Sequence, residues 1–484
     1  MSNKIKNIIK DNYTNILITL VYFLIHLFLL SRHELWRDEA QAYSLVKHSS
    51  LIELFKYLRI EGHPFLWFIY IFPFAKSGIP FNYFGYISLL TMTFTVYSFL
   101  KKSPFNKWLT VFVLLSSSFF YYNAVICRVY CLPVLILVFI CSLYKDKLER
   151  PILYLILVSL LLQTHIKMSG MAIGLYIDFF ISAFQNDRAY LKYLPIPVLN
   201  LLLLIVELIP YKGYRPFVPI AAEMESLFDD IPGKLSRGID RIFSSSFGFE
   251  KSEYGIILSI LLLISLIIII FFVYKEHRFK EYTGLFLIIL CGLGAYYLIT
   301  AFIYGLHRQM ASLLMTMIIS FAWLYEYKSI EKVRMCSRIV LIVLIGITIP
   351  LTMKDAIDDV DGVYSYGEQT ARFIIDNLEE NSVVLLDYDD LDPLIISLVE
   401  PYRKDIVFYD TAHRRPHTVH LLSEYYEFDP ELIAYIGEEL DTDCRYFLCR
   451  REIHNEKYEL VYTNFGKPTL GSEEYFNLYR FRFD

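Results

Sequence analysis

The chain has 484 residues, of which 55% are hydrophobic and 17% aromatic, and it carries a formal net charge of −5. Its mean hydropathy of +0.42 exceeds that of ordinary soluble domains, which excludes a chain built only of such domains. Acidic residues outnumber basic ones by 51 to 46, and we expect no nucleic-acid partner.

Long apolar runs indicate that the lipid bilayer is the main environment of the chain. The run from Ile256 to Tyr274 is one of several that match the roughly 20 residues needed to cross about 30 Å of hydrocarbon. The first run, over 15–30, follows three lysines and is followed by Arg32 and His33 instead of a small-residue cleavage site. We predict a polytopic α-helical membrane protein whose uncleaved first helix has a cytoplasmic N terminus.

Twelve apolar segments are recognisable by hydropathy. They lie near 15–31, 64–79, 82–100, 108–123, 129–144, 151–165, 168–184, 190–209, 254–274, 282–304, 309–325 and 337–353. Because clusters of Lys and Arg favour the cytoplasmic side, the cluster at 101–107 requires residues 64–100 to cross only once. Pro73 and Gly78 interrupt the part over 65–79, so we predict a re-entrant segment there and about eleven transmembrane helices in all.

This topology places two large loops and the C-terminal part outside the cytoplasm. The loops are 32–64 and 210–253, and the second contains an amphipathic stretch over 231–247. Residues 354–484 hold about 29 acidic and 13 basic side chains, which separates them from the more cationic part over 1–353.

The C-terminal part is predicted to be a small extracytoplasmic α/β domain. Its pattern favours helices at 366–378 and 393–399, and strands at 383–386, 406–409, 445–448, 460–462 and 476–483. It shows no glycine-rich phosphate loop.

Ionisable residues recur where the predicted helices end on the outer side. They are Arg37, Asp38, Glu39, Glu61 and His63 in the first loop, Arg128 and Tyr130, His165 and Lys167, and His307 and Arg308 in later turns. Each alone also fits a snorkelling side chain or a helix end, and Glu39 fits a charge at a helix start. Four turns on one side together indicate a site, because ionisable groups at membrane depth are costly and often functional.

The residue types indicate a particular chemistry. Adjacent carboxylates at Asp38 and Glu39 can take a hydroxyl proton or hold a divalent cation such as Mg²⁺ or Mn²⁺. Arginine, histidine and lysine can bind a phosphate leaving group. A carboxylate base facing a cationic phosphate site is what sugar transfer from a lipid-linked phosphate requires.

The chain resembles the GT-C superfamily of integral membrane glycosyltransferases. Within it, the resemblance is to protein O-mannosyltransferases and lipid A aminoarabinose transferases, which use polyprenyl-phosphate sugars. It rests on an acidic pair after Trp36-Arg37, on Glu61-Gly62-His63-Pro64, on Arg128-Val129-Tyr130 and on Thr164-His165. Phe65 and Tyr130 stand where other members of the family have proline and an acid.

The resemblance implies an inverting transferase at the outer face of a bacterial plasma membrane. Asp38 would be the catalytic base, and the lipid phosphate or sugar would be bound by His63, Arg128, His165 and Arg308. The acceptor would be a cell-envelope glycan, teichoic acid, lipid or protein.

Two other classes stay open at this point. A transporter, flippase or polymerase of lipid-linked glycans would use the same cations, and a transporter would show facing charges from both membrane sides and inverted repeats. A non-catalytic sensor would carry its key residues in the C-terminal domain and would tolerate substitution of Asp38 and Glu39.

Overall fold

The computed structural model describes most of the chain. The described residues are 3–61, 64–209, 231–245, 247, 252–302, 307–386, 393–411, 413–417, 429–440, 445–468 and 473–482. The structure is predominantly helical and has one sheet near the C terminus.

Helices make up most of the described residues before Gly362. Before residue 210 they are α1 (Asn3–Leu30), α2 (Arg37–His48), α3 (Leu51–Glu61), α4 (Leu66–Lys76), α5 (Tyr86–Lys102), α6 (Lys107–Val113), α7 (Cys131–Leu143), α8 (Pro151–Leu162), α9 (Ser169–Asn186) and α10 (Pro195–Leu208). Short 3-10 turns lie at Phe81–Tyr83, Ile166–Met168 and Arg188–Tyr193. After residue 230 they are α11 (Ile231–Ser245), α12 (Ser252–Lys275), α13 (Phe279–Phe302), α14 (His307–Tyr325) and α15 (Glu331–Asp361).

The prediction of a polytopic helical membrane protein is confirmed, but the number of eleven transmembrane helices is not. Within the described ranges, seven helices are long and apolar enough to cross a membrane: Asn12–Leu30, Phe81–Lys102, Ile166–Asn186, Arg188–Leu208, Glu253–Lys275, Phe279–Ala301 and Glu331–Asp361. The other apolar helices, which are shorter, are Leu66–Lys76, Cys131–Leu143, Pro151–Leu162 and Ala311–Tyr325.

The helix ends meet in two groups, one at each end of the bundle. At the first, which we call the loop end, His33 after α1 contacts Asp359 near the end of α15, with 2.9 Å between Nδ1 and Oδ2. At the second, the basic end, Lys147 pairs with Asp178 of α9, and Lys328 Nζ donates to the Glu281 carbonyl at 2.7 Å. The basic clusters of the loops after α7, α12 and α14 therefore come together.

The segment predicted to cross over 108–123 is not one helix. Helix α6 ends at Val113, and a buried run of turns over 114–130 leads to α7. Ser118 bonds the Thr316 hydroxyl at 2.7 Å, and the Asn123 amide donates to the Ser118 carbonyl at 2.7 Å. The Asn123 amide thereby competes with a helical hydrogen bond for the Ser118 carbonyl, which explains the interruption.

Neighbouring helices bond to this irregular backbone. His26 Nε2 of α1 accepts a hydrogen bond from the Tyr121 amide at 3.4 Å, and Tyr22 donates to the Phe119 carbonyl. Non-helical backbone within a membrane bundle is tolerated where protein groups satisfy it.

The predicted interruption over 65–79 is present. Helix α4 has 11 residues, about 16 Å, and contains Pro73, so it is too short to cross the hydrocarbon. The Leu66 amide donates to the Gln163 carbonyl at 3.3 Å, and Lys76 Nζ donates to the Lys47 carbonyl at 2.8 Å. Both of these contacts are with residues of the loop end.

The C-terminal part contains a six-stranded sheet. Its strands are β1 (Val383–Leu386), β2 (Val407–Asp410), β3 (Arg415–Pro416), β4 (Arg445–Cys449), β5 (Tyr458–Gly466) and β6 (Glu474–Phe481), and its helices are α16 (Gly367–Asn377), α17 (Pro393–Val399) and α18 (Pro430–Glu439). The order across the sheet is β3-β2-β1-β4-β6-β5, with β1 parallel to both β2 and β4. The five predicted strands and two predicted helices are confirmed; β3 and α18 were missed.

The predicted domain boundary at 353/354 falls inside α15, which continues to Asp361. The C-terminal domain contacts the loop end directly. A Glu34 carboxylate oxygen accepts hydrogen bonds from the amides of Tyr364 and Ser365 at 2.9 and 3.2 Å, and Lys47 of α2 pairs with Glu400.

Candidate functional site

An ion pair joins the two best candidates for chemistry. Asp38 lies in the first turn of α2, and its carboxylate bonds the guanidinium of Arg128, which lies in the turns before α7. The Arg128 side chain is 15% exposed and the Asp38 side chain 35% exposed. The guanidinium also lies over the rings of Trp36 and Tyr130, 5.9 Å from each centroid, so both aromatic faces attract the cation.

Glu39 determines where α2 begins. Its Oε2 accepts a hydrogen bond from the Trp36 amide at 2.9 Å, and its Oε1 accepts one from the Cys127 amide at 2.6 Å. The first contact caps the helix, and the second ties its N terminus to the turns that carry Arg128. Glu39 is fully buried, and its interpretation as a helix-start charge is confirmed. Its predicted catalytic role stays a prediction.

His33 lies between two carboxylates. Its Nδ1 is 2.9 Å from Asp359 Oδ2, and its Nε2 is 3.4 Å from Glu39 Oε2. Burial disfavours the charged ring, but the two carboxylates outweigh it and raise the pKa of His33 to about 10. The imidazolium therefore joins the end of α15 to the start of α2.

The aromatic ring of Tyr130 extends the site toward α9. Its centroid is 5.5 Å from the His165 ring. His165 Nδ1 accepts a hydrogen bond from the Lys167 amide at 3.1 Å, which leaves the Nε2 edge of the ring as the donor when the ring is neutral. Lys167 Nζ donates to Thr300 Oγ1 at 2.7 Å and lies 5.0 Å from the Tyr296 ring centroid.

Close packing of α9 against α13 brings Lys167 next to Thr300 and Tyr296. A Cβ on Gly170 would lie 2.1 Å from the Cys291 carbonyl oxygen, and one on Gly174 would lie 2.6 Å from Ile288 Cα. Helices α9 and α13 can approach so closely because both positions are glycine.

The predicted site residues divide into three groups. Five form a continuous series of contacts from the first loop to α9: Asp38, Arg128, Tyr130, His165 and Lys167. Arg37 is half-buried beside Asp38, and Glu39 supports the start of the same helix. His63 lies outside the described residues. Only the backbone is described for Glu61 in α3 and for His307 and Arg308 in α14, so the predictions for their side chains stay predictions.

Among the described residues, the buried ionisable groups that sequence reasoning missed at this end include His33, Asp359 and Glu207. His33 and Asp359 form the network described above. Glu207 of α10 is 1% exposed, and the Gln163 amide is placed to donate to its Oε2 at 2.7 Å. Glu207 stands alone in the apolar run Leu201–Ile209, and that isolation was a signal that could have found it.

The two adjacent carboxylates do not point at a shared ligand. Asp38 binds Arg128, whereas Glu39 binds two backbone amides and faces His33. Within the part of the chain that the structure describes, no group of three or more His, Cys, Asp and Glu side chains is arranged to hold a metal ion. The arrangement at Asp38 and Glu39 does not fit a cation site, and the predicted Mg²⁺ or Mn²⁺ stays a prediction.

In comparisons with known proteins, no protein-family model matches the chain and no curated protein matches its sequence. The resemblance to the GT-C superfamily therefore rests on the quoted motifs alone.

Proposed function

We propose that this chain is an inverting membrane glycosyltransferase of the GT-C type. It would transfer a sugar from a polyprenyl-phosphate donor to a cell-envelope acceptor at the outer face of the plasma membrane. The observation that carries the proposal is the Asp38–Arg128 pair, which lies at the loop end in contact with Tyr130 and, through it, His165.

The Asp38–Arg128 pair suits a site in which Arg128 exchanges Asp38 for the donor phosphate when the donor binds. Without a substrate, Asp38 neutralises Arg128. A donor phosphate that bonds the guanidinium takes over that role, because a planar guanidinium binds phosphate well. The Asp38 carboxylate is then released beside the phosphate and can accept a proton.

The reaction balances with these groups. The acceptor hydroxyl gives its proton to Asp38, and its oxygen forms a bond to the anomeric carbon on the face opposite the phosphate. The bond between that carbon and the phosphate oxygen breaks, and the polyprenyl phosphate leaves with its added charge stabilised by Arg128. No metal ion is needed in these steps.

The other residues hold this geometry. Trp36 and Tyr130 flank the guanidinium, and Glu39 fixes the helix start that presents Asp38. His165, whose ring lies beside that of Tyr130, would bind the sugar or the phosphate.

The proposal includes the topology of about eleven crossings with the loop end outside. This topology requires the segment over 108–123 and the shorter apolar helices Cys131–Leu143, Pro151–Leu162 and Ala311–Tyr325 to cross as well, whereas Leu66–Lys76 does not cross. Reporter fusions after Lys101 and after Asp361 should report cytoplasmic and external positions, respectively. A cytoplasmic signal after Asp361 would contradict the placement of both the site and the C-terminal domain.

The deciding experiment measures sugar transfer in membranes that contain the full chain and a set of polyprenyl-phosphate monosaccharides. Asp38→Asn should lower transfer by roughly 100-fold or more, because it removes the proton acceptor and keeps the shape. Asp361→Asn, which changes an exposed carboxylate at the same end, should leave transfer unchanged. Full transfer by Asp38→Asn, or no transfer by the natural chain from any such donor, would overturn the proposal.

A further inference from the structure

The basic end of the bundle contains a polar cavity far from the site described above. Its volume is about 290 Å³. Four lysines line it, together with two acidic residues: Lys145, Lys147, Lys280, Lys328, Asp178 and Glu281. The lining therefore carries more positive than negative charge.

The acidic residues are already engaged. Asp178 pairs with Lys147. Both carboxylate oxygens of Glu281 accept hydrogen bonds from Ser329, one from its amide at 3.1 Å and one from its hydroxyl at 2.8 Å. Lys145 and Lys280 are exposed at the rim and can face an anion.

The cavity is built by close packing. A Cβ on Gly284 would lie 1.8 Å from Asp178 Oδ1, so a larger residue there would displace the carboxylate that pairs with Lys147. Lys145 Nζ lies 4.4 Å from the Tyr327 ring centroid and Lys147 Nζ lies 4.3 Å from that of Tyr144, so aromatic faces hold both cations.

An apolar groove continues from this cavity. It has a volume of about 540 Å³ and lies between α9, the 3-10 turn at Arg188–Tyr193 and α10. The groove and the cavity share Ile181 and Gln185 in their linings. From Gln185 the groove extends along α9 to Ile173, about 18 Å at the rise of an α-helix, which accommodates much of an acyl chain.

We propose that the cavity and the groove form one binding site for an anionic phospholipid. The headgroup phosphate lies among the lysines and one acyl chain lies along α9. The positive charge of the cavity favours a phosphate group, since basic pockets between membrane helices bind anionic headgroups. The groove that continues from the cavity favours a lipid over a free phosphate ion.

The position argues against the sugar donor as the occupant. Asp38 and Arg128 lie at the opposite end of the bundle, so a lipid whose phosphate sits among these lysines cannot present it to them. The site therefore goes beyond the proposed transfer reaction, and its test needs no measurement of sugar transfer.

The test is native mass spectrometry of the purified full chain with equal amounts of phosphatidylglycerol and phosphatidylcholine. The natural chain should retain phosphatidylglycerol roughly tenfold better. Lys145→Gln combined with Lys280→Gln should reduce that retention roughly tenfold, because each lysine near a headgroup contributes to binding. Ile181→Trp, at the junction of cavity and groove, should reduce it while leaving the lysines in place.

The matched control is Lys101→Gln combined with Lys102→Gln. It removes two lysines at the same end that do not line the cavity, and it should change retention less than twofold. Equal retention of phosphatidylcholine, or an equal loss in the control, would overturn the proposal. Displacement of phosphatidylglycerol by polyprenyl phosphate, with the same sensitivity to the lysine variant, would assign the site to the carrier lipid and also overturn it.

Discussion

The two ends of the helical bundle use charge differently. At the loop end, oppositely charged groups from distant parts of the chain pair with one another, as do Asp38 with Arg128 and His33 with Asp359, 90 and 326 residues apart. At the basic end, lysines outnumber acids around an open cavity, and two of them remain exposed. The ion pairs at the loop end fix the relative positions of the elements that carry them. The excess of positive charge at the basic end attracts anions.

Within the loop end, two adjacent carboxylates differ just as sharply. Asp38 is partly exposed and has a side-chain partner that a ligand can replace. Glu39 is buried and has backbone partners that no ligand can replace without unfolding the start of α2. We therefore expect substitutions at Asp38 and Arg128 to change activity, and those at Glu39 and His33 to change stability.

The largest effect is expected at Arg128. Arg128→Gln should lower sugar transfer by roughly 100- to 1,000-fold, as removal of a group that stabilises transition-state charge does. Arg128→Lys should recover only part of the lost transfer, since an ammonium lacks the planar pair of donors with which a guanidinium binds phosphate. Arg32→Gln, an exposed arginine at the same end, is the control in the transfer assay. Normal activity in Arg128→Gln would remove this residue from the site.

Glu39→Gln should destabilise the protein by about 3 kcal/mol, because it leaves the buried His33 charge with one carboxylate fewer. The free energy of unfolding in detergent would be measured with denaturant. Glu276→Gln changes an exposed carboxylate and should have no measurable effect. If Glu39→Gln abolished transfer and left stability unchanged, Glu39 would belong to the chemistry and not to the support.

The contribution of His33 should depend on pH. Since its folded pKa of about 10 lies above the ordinary value of 6.5, charged His33 stabilises the protein fully below about pH 6.5, and this is lost as the pH rises through 10. The difference in unfolding temperature between the natural chain and His33→Gln should shrink over that window. A difference that stayed constant from pH 6.5 to 10 would contradict the charged network.

The smallest effect is expected where the C-terminal domain meets α2. Burial opposes ionisation of Glu400, but hydrogen bonds from His48 and Lys47 lower its pKa to about 2, so the contact contributes above about pH 4.5 and is lost toward pH 2. Its side chain is 39% exposed, so solvent weakens the pair, and Glu400→Gln should cost less than about 1 kcal/mol. If Glu400→Gln lowered the free energy of unfolding as much as Glu39→Gln does, the contact of Glu400 with α2 would also be essential to the structure of the loop end.

Local pattern made some parts predictable. Val383–Leu386 and Pro393–Val399 were placed to the residue, because a short apolar run between turn residues and a helix begun by proline carry their signals locally. The break after Val113 was missed, because the apolar content of 108–123 concealed Asn123, whose side-chain amide bonds the Ser118 carbonyl in competition with a helical hydrogen bond. Glu207 was missed although its isolation in an apolar run signalled it, and its contact with Gln163 depends on packing between distant segments.

By itself, the sequence determined that the chain is a helical membrane protein with a mixed C-terminal domain, and that its unusual polar residues fall at corresponding helix ends. Hydropathy and basic clusters are properties of single sequence segments, so they can be identified without the tertiary structure. Only the tertiary structure decided which charges meet, since pairs such as Asp38–Arg128 and His33–Asp359 depend on packing between distant elements. That pairing separates an accessible carboxylate from a structural one, although the two are neighbours in the chain.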